Sequence, residues 1–68
     1  MQIRFDPAAD AAYVQFRTGT SIKTEETKDG FVVDYNRSGK VIGIEVLAMS
    51  KRFPKGFKIP ARLLKLAQ

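Results

Sequence analysis

Apolar and polar residues alternate at the start of the chain, with Ile3 and Phe5 set between Gln2, Arg4 and Asp6. This two-residue period predicts a first strand over Gln2–Asp6 with one buried face. Asp6-Pro7-Ala8-Ala9-Asp10 comes next. Proline presets φ there and the flanking aspartates can accept from nearby backbone N–H groups, so a hairpin connection is expected. Alternation resumes with Ala12, Val14 and Phe16 against Tyr13, Gln15 and Arg17, a second strand that ends at Thr18-Gly19-Thr20. Residues 21–27 are polar apart from Ile22, but their threonines and their position between turns predict a short third strand.

Asp29-Gly30 is a pair that tolerates positive φ, so a tight hairpin should lead into a fourth strand over 31–35. Asn36-Arg37-Ser38-Gly39 supplies the next turn, into a fifth strand over 40–47. The last two strands are expected to form the central, most buried hairpin. Val32 stands beside Val33, and Val41 beside Ile42, so both faces of that hairpin are expected to need cover. The C-terminal segment can supply it: Pro60 suits a first helical turn and residues 61–68 are mostly strong helix formers. On such a helix Arg62 and Lys65 share one face, while Leu63, Leu64 and Ala67 occupy the rest and can turn toward the sheet. The predicted fold is therefore α+β, a small antiparallel meander of about five strands (1–50) with a basic segment and short C-terminal helix (51–68), all in one domain.

Length sharpens this picture. A chain of 68 residues buries only about 60% of the surface it exposes when unfolded. With 0 Cys and 0 His, neither disulfides nor the usual structural zinc sites can add stability, so self-association as a homodimer is expected. Apolar runs such as Val41-Ile42-Gly43-Ile44 are far too short for a membrane span, and the first residues show no apolar signal segment, so a cytoplasmic protein without a membrane partner is expected.

Charge is divided unevenly. Residues 51–68 carry six cations (Lys51, Arg52, Lys55, Lys58, Arg62, Lys65) and no acid, which leaves six Lys+Arg against all 7 Asp+Glu in the rest of the chain. The body is thus about −1 and the tail +6. Phe53 and Phe57 are interleaved with these cations, an arrangement that can pair phosphates with charge and stack bases on rings. The same two rings serve equally as anchors pinning the segment to the sheet, and cations in a last helical turn are favoured by the helix dipole alone. The segment is therefore a candidate surface for nucleic acid or for an acidic partner, and also a candidate piece of the core.

Catalysis finds little support. Glu25, Glu26, Asp29, Asp34 and Glu45 can approach one another across strands, but their spacing matches no calcium loop and nothing sets two of them apart as acid and base. Solvated strand faces account for them. Glu45, inside the most apolar strand, needs a partner such as Arg4 or Tyr13. Ser-His and Cys-His pairs cannot be assembled, Ser21 with Lys23 lacks context, and Gly39 and Gly43 sit in a hairpin and not at a strand-to-helix phosphate loop. No cofactor, metal or catalytic residue is expected, and the protein is read as non-enzymatic.

Three segments carry a resemblance: Asp6-Pro7-x-x-Asp10-x-x-Tyr13, Asp29-Gly30-x-x-x-Asp34-Tyr35, and Gly39-x-x-x-Gly43-Ile44-Glu45-x-Leu47. Together, over residues 3–52, they resemble a family of small bacterial and phage proteins catalogued as a domain of unknown function, number twenty-two eighty-three. The resemblance implies an antiparallel sheet followed by a short helix, with no established activity. It further implies kinship with partners of small toxin-like proteins, hence an antitoxin-like binding module. The strongly basic tail departs from the mixed or acidic ends of its relatives, so nothing is carried over to residues 51–68. The expected function is a protein-binding module, with nucleic-acid binding through the basic segment as the alternative.

Overall fold

The computed structural model of the chain describes residues 2–56 and 58–66. Five strands form one antiparallel sheet: β1 Gln2–Asp6, β2 Ala11–Gln15, β3 Lys23–Glu26, β4 Phe31–Tyr35 and β5 Val41–Val46. Two short helices follow, α1 Met49–Arg52 and α2 Ala61–Leu66. The expected α+β class and five-stranded antiparallel sheet are thus present.

The strands are ordered β1-β2-β5-β4-β3. After the first hairpin the chain crosses to the far edge and returns through β3, β4 and β5, so the two most apolar segments lie inside and the two most polar ones at the edges. Register makes the two faces unlike each other. Ala12, Val46 and Phe31 are aligned across β2, β5 and β4, as are Val14, Ile44 and Val33. All six of these side chains are buried. A shift in the β4–β5 ladder at Asp34/Tyr35 sets Tyr35 opposite Val41, which adds Val41 to the same core.

The C-terminal segment covers this face. Leu63 on α2 is only 3% exposed and joins the Phe31, Val33, Val41, Ile44 and Val46 cluster, with Met49, Phe53 and Ile59 packed beside it. The Phe53 ring meets Phe31 at 5.6 Å between centroids, tilted by 44°. Leu64 does not share that role. It is 39% exposed, because a helix of this length turns only one narrow stripe toward the sheet. Phe57 and Ala67, also assigned to this packing from sequence, lie outside the described residues.

Two expectations are corrected. Ile3 and Phe5 are 60% and 58% exposed, although their alternation predicted a buried face. They do lie on the covered side, opposite Val14 and Ala12, but β1 is an edge strand and the core formed by the helical segment is centred on β4 and β5. The second correction concerns cover for both faces of the β4–β5 hairpin: among the described residues the helical segment packs on one face only. On the other, Val32 is half-buried beside Glu45 and Glu26.

α1 was not foreseen. It is held by a residue 40 positions earlier in the chain, Asp10, whose carboxylate accepts the Ser50 N–H at 3.1 Å and the Ser50 hydroxyl at 2.7 Å. The Asp10 carbonyl accepts the Met49 N–H at 2.9 Å. Asp10 has φ 53, a left-handed conformation that aspartate tolerates better than most residues. The Asp-Pro-x-x-Asp turn therefore does two things. Asp6 accepts the Ala8 and Ala9 N–H groups to shape the loop, and Asp10 fastens the start of α1 to it.

Candidate functional site

The side of the sheet opposite the helices is a continuous row of functional groups. Arg4, Tyr13, Glu45, Val32 and Glu26 follow one another across β1, β2, β5, β4 and β3, and Gln15, Gly43, Asp34 and Thr24 form the next row. Strand positions on this face hold four acids (Asp6, Glu26, Asp34, Glu45) against one cation, Arg4.

Tyr13 organises the face. Its ring passes over Gly43 so closely that a Cβ there would overlap the hydroxyl and the ring carbon bearing it. Glycine in the middle of an apolar strand often marks such a close approach. The phenol is pushed above its ordinary range, first by burial, then by the negative charge of Asp34, which also accepts its hydrogen bond. Glu45 adds to the rise and Arg4 opposes it. The Arg4 guanidinium sits over the Tyr13 ring at 5.5 Å from its centroid. Glu45 stands directly opposite Tyr13, with Arg4 one strand further on, but it is half-buried and the Tyr13 hydroxyl bonds to Asp34 and not to Glu45. Beside this row lies a shallow depression of about 250 Å³ whose lining includes Arg4, Asp6, Ala11, Tyr13, Glu45 and Leu47.

The five carboxylates singled out from sequence do not converge. Asp34, Glu45 and Glu26 share the open face, while Glu25 lies on the other side of β3, where its carboxylate accepts from the Tyr35 hydroxyl and raises that phenol. Asp29 is in the β3–β4 turn, held below the usual carboxylate range first by the Thr27 hydroxyl at 2.6 Å and then by Arg62. Among the described residues no group of three His, Cys, Asp or Glu is arranged to hold a metal ion.

All six tail cations are exposed. Two are turned to the same turn: Arg62 donates to Asp29 at 2.6 Å, and the Arg52 side chain rests against Gly30, whose φ of 92 and missing Cβ make room for it. Lys51, Lys55, Lys58 and Lys65 are spread over α1, the linker and α2. Phe53 is half-buried against the core ring of Phe31. No helix among the described residues is long and apolar enough to cross a membrane.

Sequence reasoning missed the Tyr13–Asp34–Gly43 grouping, which depends on strand register. The available signal was Gly43 itself, a glycine amid Val41, Ile42, Ile44 and Val46.

Residues 2–50 match a family described as a protein of unknown function (DUF2283). The matched stretch ends at Ser50, the residue Asp10 holds, so it contains the whole sheet and stops where the basic segment begins. None of the curated proteins and none of the solved structures compared matches the chain.

Proposed function

This chain belongs to the DUF2283 family of proteins of unknown function, and as membership assigns no activity, we propose that it is a non-enzymatic protein-binding module. It takes a small basic protein onto the open face of its sheet, in the manner of an antitoxin covering a toxin. The observation that carries this reading is the four-to-one excess of acids at the strand positions of the face that the described helices leave uncovered. Complementary charge gives a partner orientation and speed of encounter, and Tyr13 and Arg4 are the residue types that most often anchor protein interfaces. A phosphate backbone would be repelled there. Nucleic acid would have to use the opposite side, where Arg52 and Arg62 are already engaged by the β3–β4 turn and Phe53 is committed to the core.

Co-expression with the product of the adjacent gene tests the proposal. Wild-type protein and a variant with Lys51, Lys55, Lys58 and Lys65 changed to Gln should copurify with that product, and Glu45→Lys should not. Retention by Glu45→Lys, or loss in the lysine variant, would count against the open face. Mobility shifts of duplex DNA across a salt series give the second arm: salt-dependent binding near physiological ionic strength that vanishes in the lysine variant would favour the nucleic-acid reading.

A further inference from the structure

The two edges of the sheet are not equally protected. β3 (Lys23–Glu26) is charged at three of four positions, the usual defence of an edge strand, and both Lys23 and Glu25 are tied to Tyr35 within the chain. β1 has Ile3 and Phe5 more than half exposed on the helix side, and among the described residues neither belongs to the core that the helical segment closes. Its backbone is also available. The Phe16 N–H bonds to the Ile42 carbonyl on β5, so by strand alternation Val14 and Ala12 also turn their peptide groups to β5, and Tyr13, Ala11 and Gln15 turn theirs to β1. Their β1 partners Arg4, Asp6 and Gln2 face β2 in return, which leaves the N–H and C=O groups of Ile3 and Phe5 directed outward.

Arg4-Phe5-Asp6 is self-complementary when read antiparallel. We propose that β1 pairs antiparallel with β1 of a second copy of this chain, with Phe5 opposite Phe5 on the two-fold axis and Arg4 opposite Asp6 on both sides of it. The two-fold keeps each face of the sheet continuous, so Phe5 meets Phe5 on the helix side, with each Ile3 diagonal to the facing Phe5, and the Arg4–Asp6 pairs form on the open side. Each Asp6 can take part without releasing its loop, because Oδ1 accepts the Ala8 and Ala9 N–H groups and Oδ2 is left for the partner. The neighbouring register, with Phe5 opposite Ile3, sets Arg4 against Arg4, a like-charge pair directly opposed. The contact is one short strand per copy, well below the standard size of a tight interface, so a dimer with a dissociation constant in the micromolar range is expected.

The charges dictate the test. At concentrations well above that constant, light scattering should give about twice the 7.6 kDa chain mass for the wild type. Arg4→Asp alone and Asp6→Lys alone should each fall to monomer mass, and their equimolar mixture should recover the dimer, because each Asp then meets a Lys or Arg. The chain lacks cysteine, so a single introduced thiol reports proximity. Phe5→Cys, with Cα atoms about 5.5 Å apart across the axis, should crosslink at least tenfold faster than Ile3→Cys or Thr24→Cys. A monomeric wild type, a dimer surviving in either charge variant alone, or equal crosslinking through Ile3 or Thr24 would overturn the proposal.

Discussion

The two faces of this sheet are built from the same five strands and differ in what they can do. On one, Phe31, Val33, Val41, Ile44 and Val46 are sealed by Leu63 and Phe53, and the core cluster of the described residues is concentrated there. On the other, Tyr13 lies over Gly43 among carboxylates, and no described helical residue joins it there. The lesson concerns the basic segment. Its six cations are the most conspicuous feature of the sequence, but its apolar residues close the core, while the face with a distinct charge of its own is the acidic one.

Removing core side chains should separate the faces most sharply. Phe31→Ala is expected to cost about 3–5 kcal/mol and Leu63→Ala about 2–5 kcal/mol, either comparable to the whole stability of so small a domain. Leu64→Ala should cost roughly 0.5 kcal/mol or less, as an exposed substitution does. Urea denaturation measures all three, and equal costs for Leu63 and Leu64 would mean that α2 is not docked as described. On the open face, Gly43→Ala should cost about 1–3 kcal/mol by forcing Tyr13 aside. That cost should shrink when Tyr13→Ala is made first, which a double-mutant cycle reads directly.

Asp10→Ala should lose roughly 0.5–2 kcal/mol, the range for a lost helix cap, and Asp10→Asn should recover part of it. Much of this range was hidden from sequence. The alternation of Ile3 and Phe5 located β1 correctly, yet burial of an alternating face depends on what lands on it, and that is decided by residues 60 positions away. The Asp-Pro-x-x-Asp turn was legible as a hairpin, whereas its grip on Ser50 was not, because no local pattern links positions 10 and 50. Strand positions, the Asp29-Gly30 turn and the Pro60 helix start were legible because each rests on local chemistry: alternation, positive φ, or a fixed φ. Register joins Tyr13, Asp34 and Gly43, and register is a property of the assembled sheet.

The smallest effects are titrations. Asp29 is depressed in the folded chain, so the stability linked to it is fully present above the ordinary carboxylate range and fades as pH falls through its lowered folded value. The stability difference between wild type and Asp29→Asn should accordingly be flat at neutral pH and shrink in acid. Tyr13 behaves in the opposite sense. Raised in the fold, it contributes below its ordinary value of 10.0 and loses that contribution as pH rises through the folded value. In a Tyr35→Phe background the one remaining phenol should titrate above that value by ultraviolet absorbance, and Asp34→Asn should bring it down.

Everything proposed for the open face presumes that the basic segment is occupied on the other. Nuclear Overhauser contacts in the full chain test this most directly. Cross-peaks from the Leu63 methyls and the Phe53 ring to the Phe31, Ile44 and Val46 side chains are the predicted result. Averaged, random-coil shifts for residues 58–66 beside a well-dispersed sheet would contradict it and return the six cations to the status of a free tail.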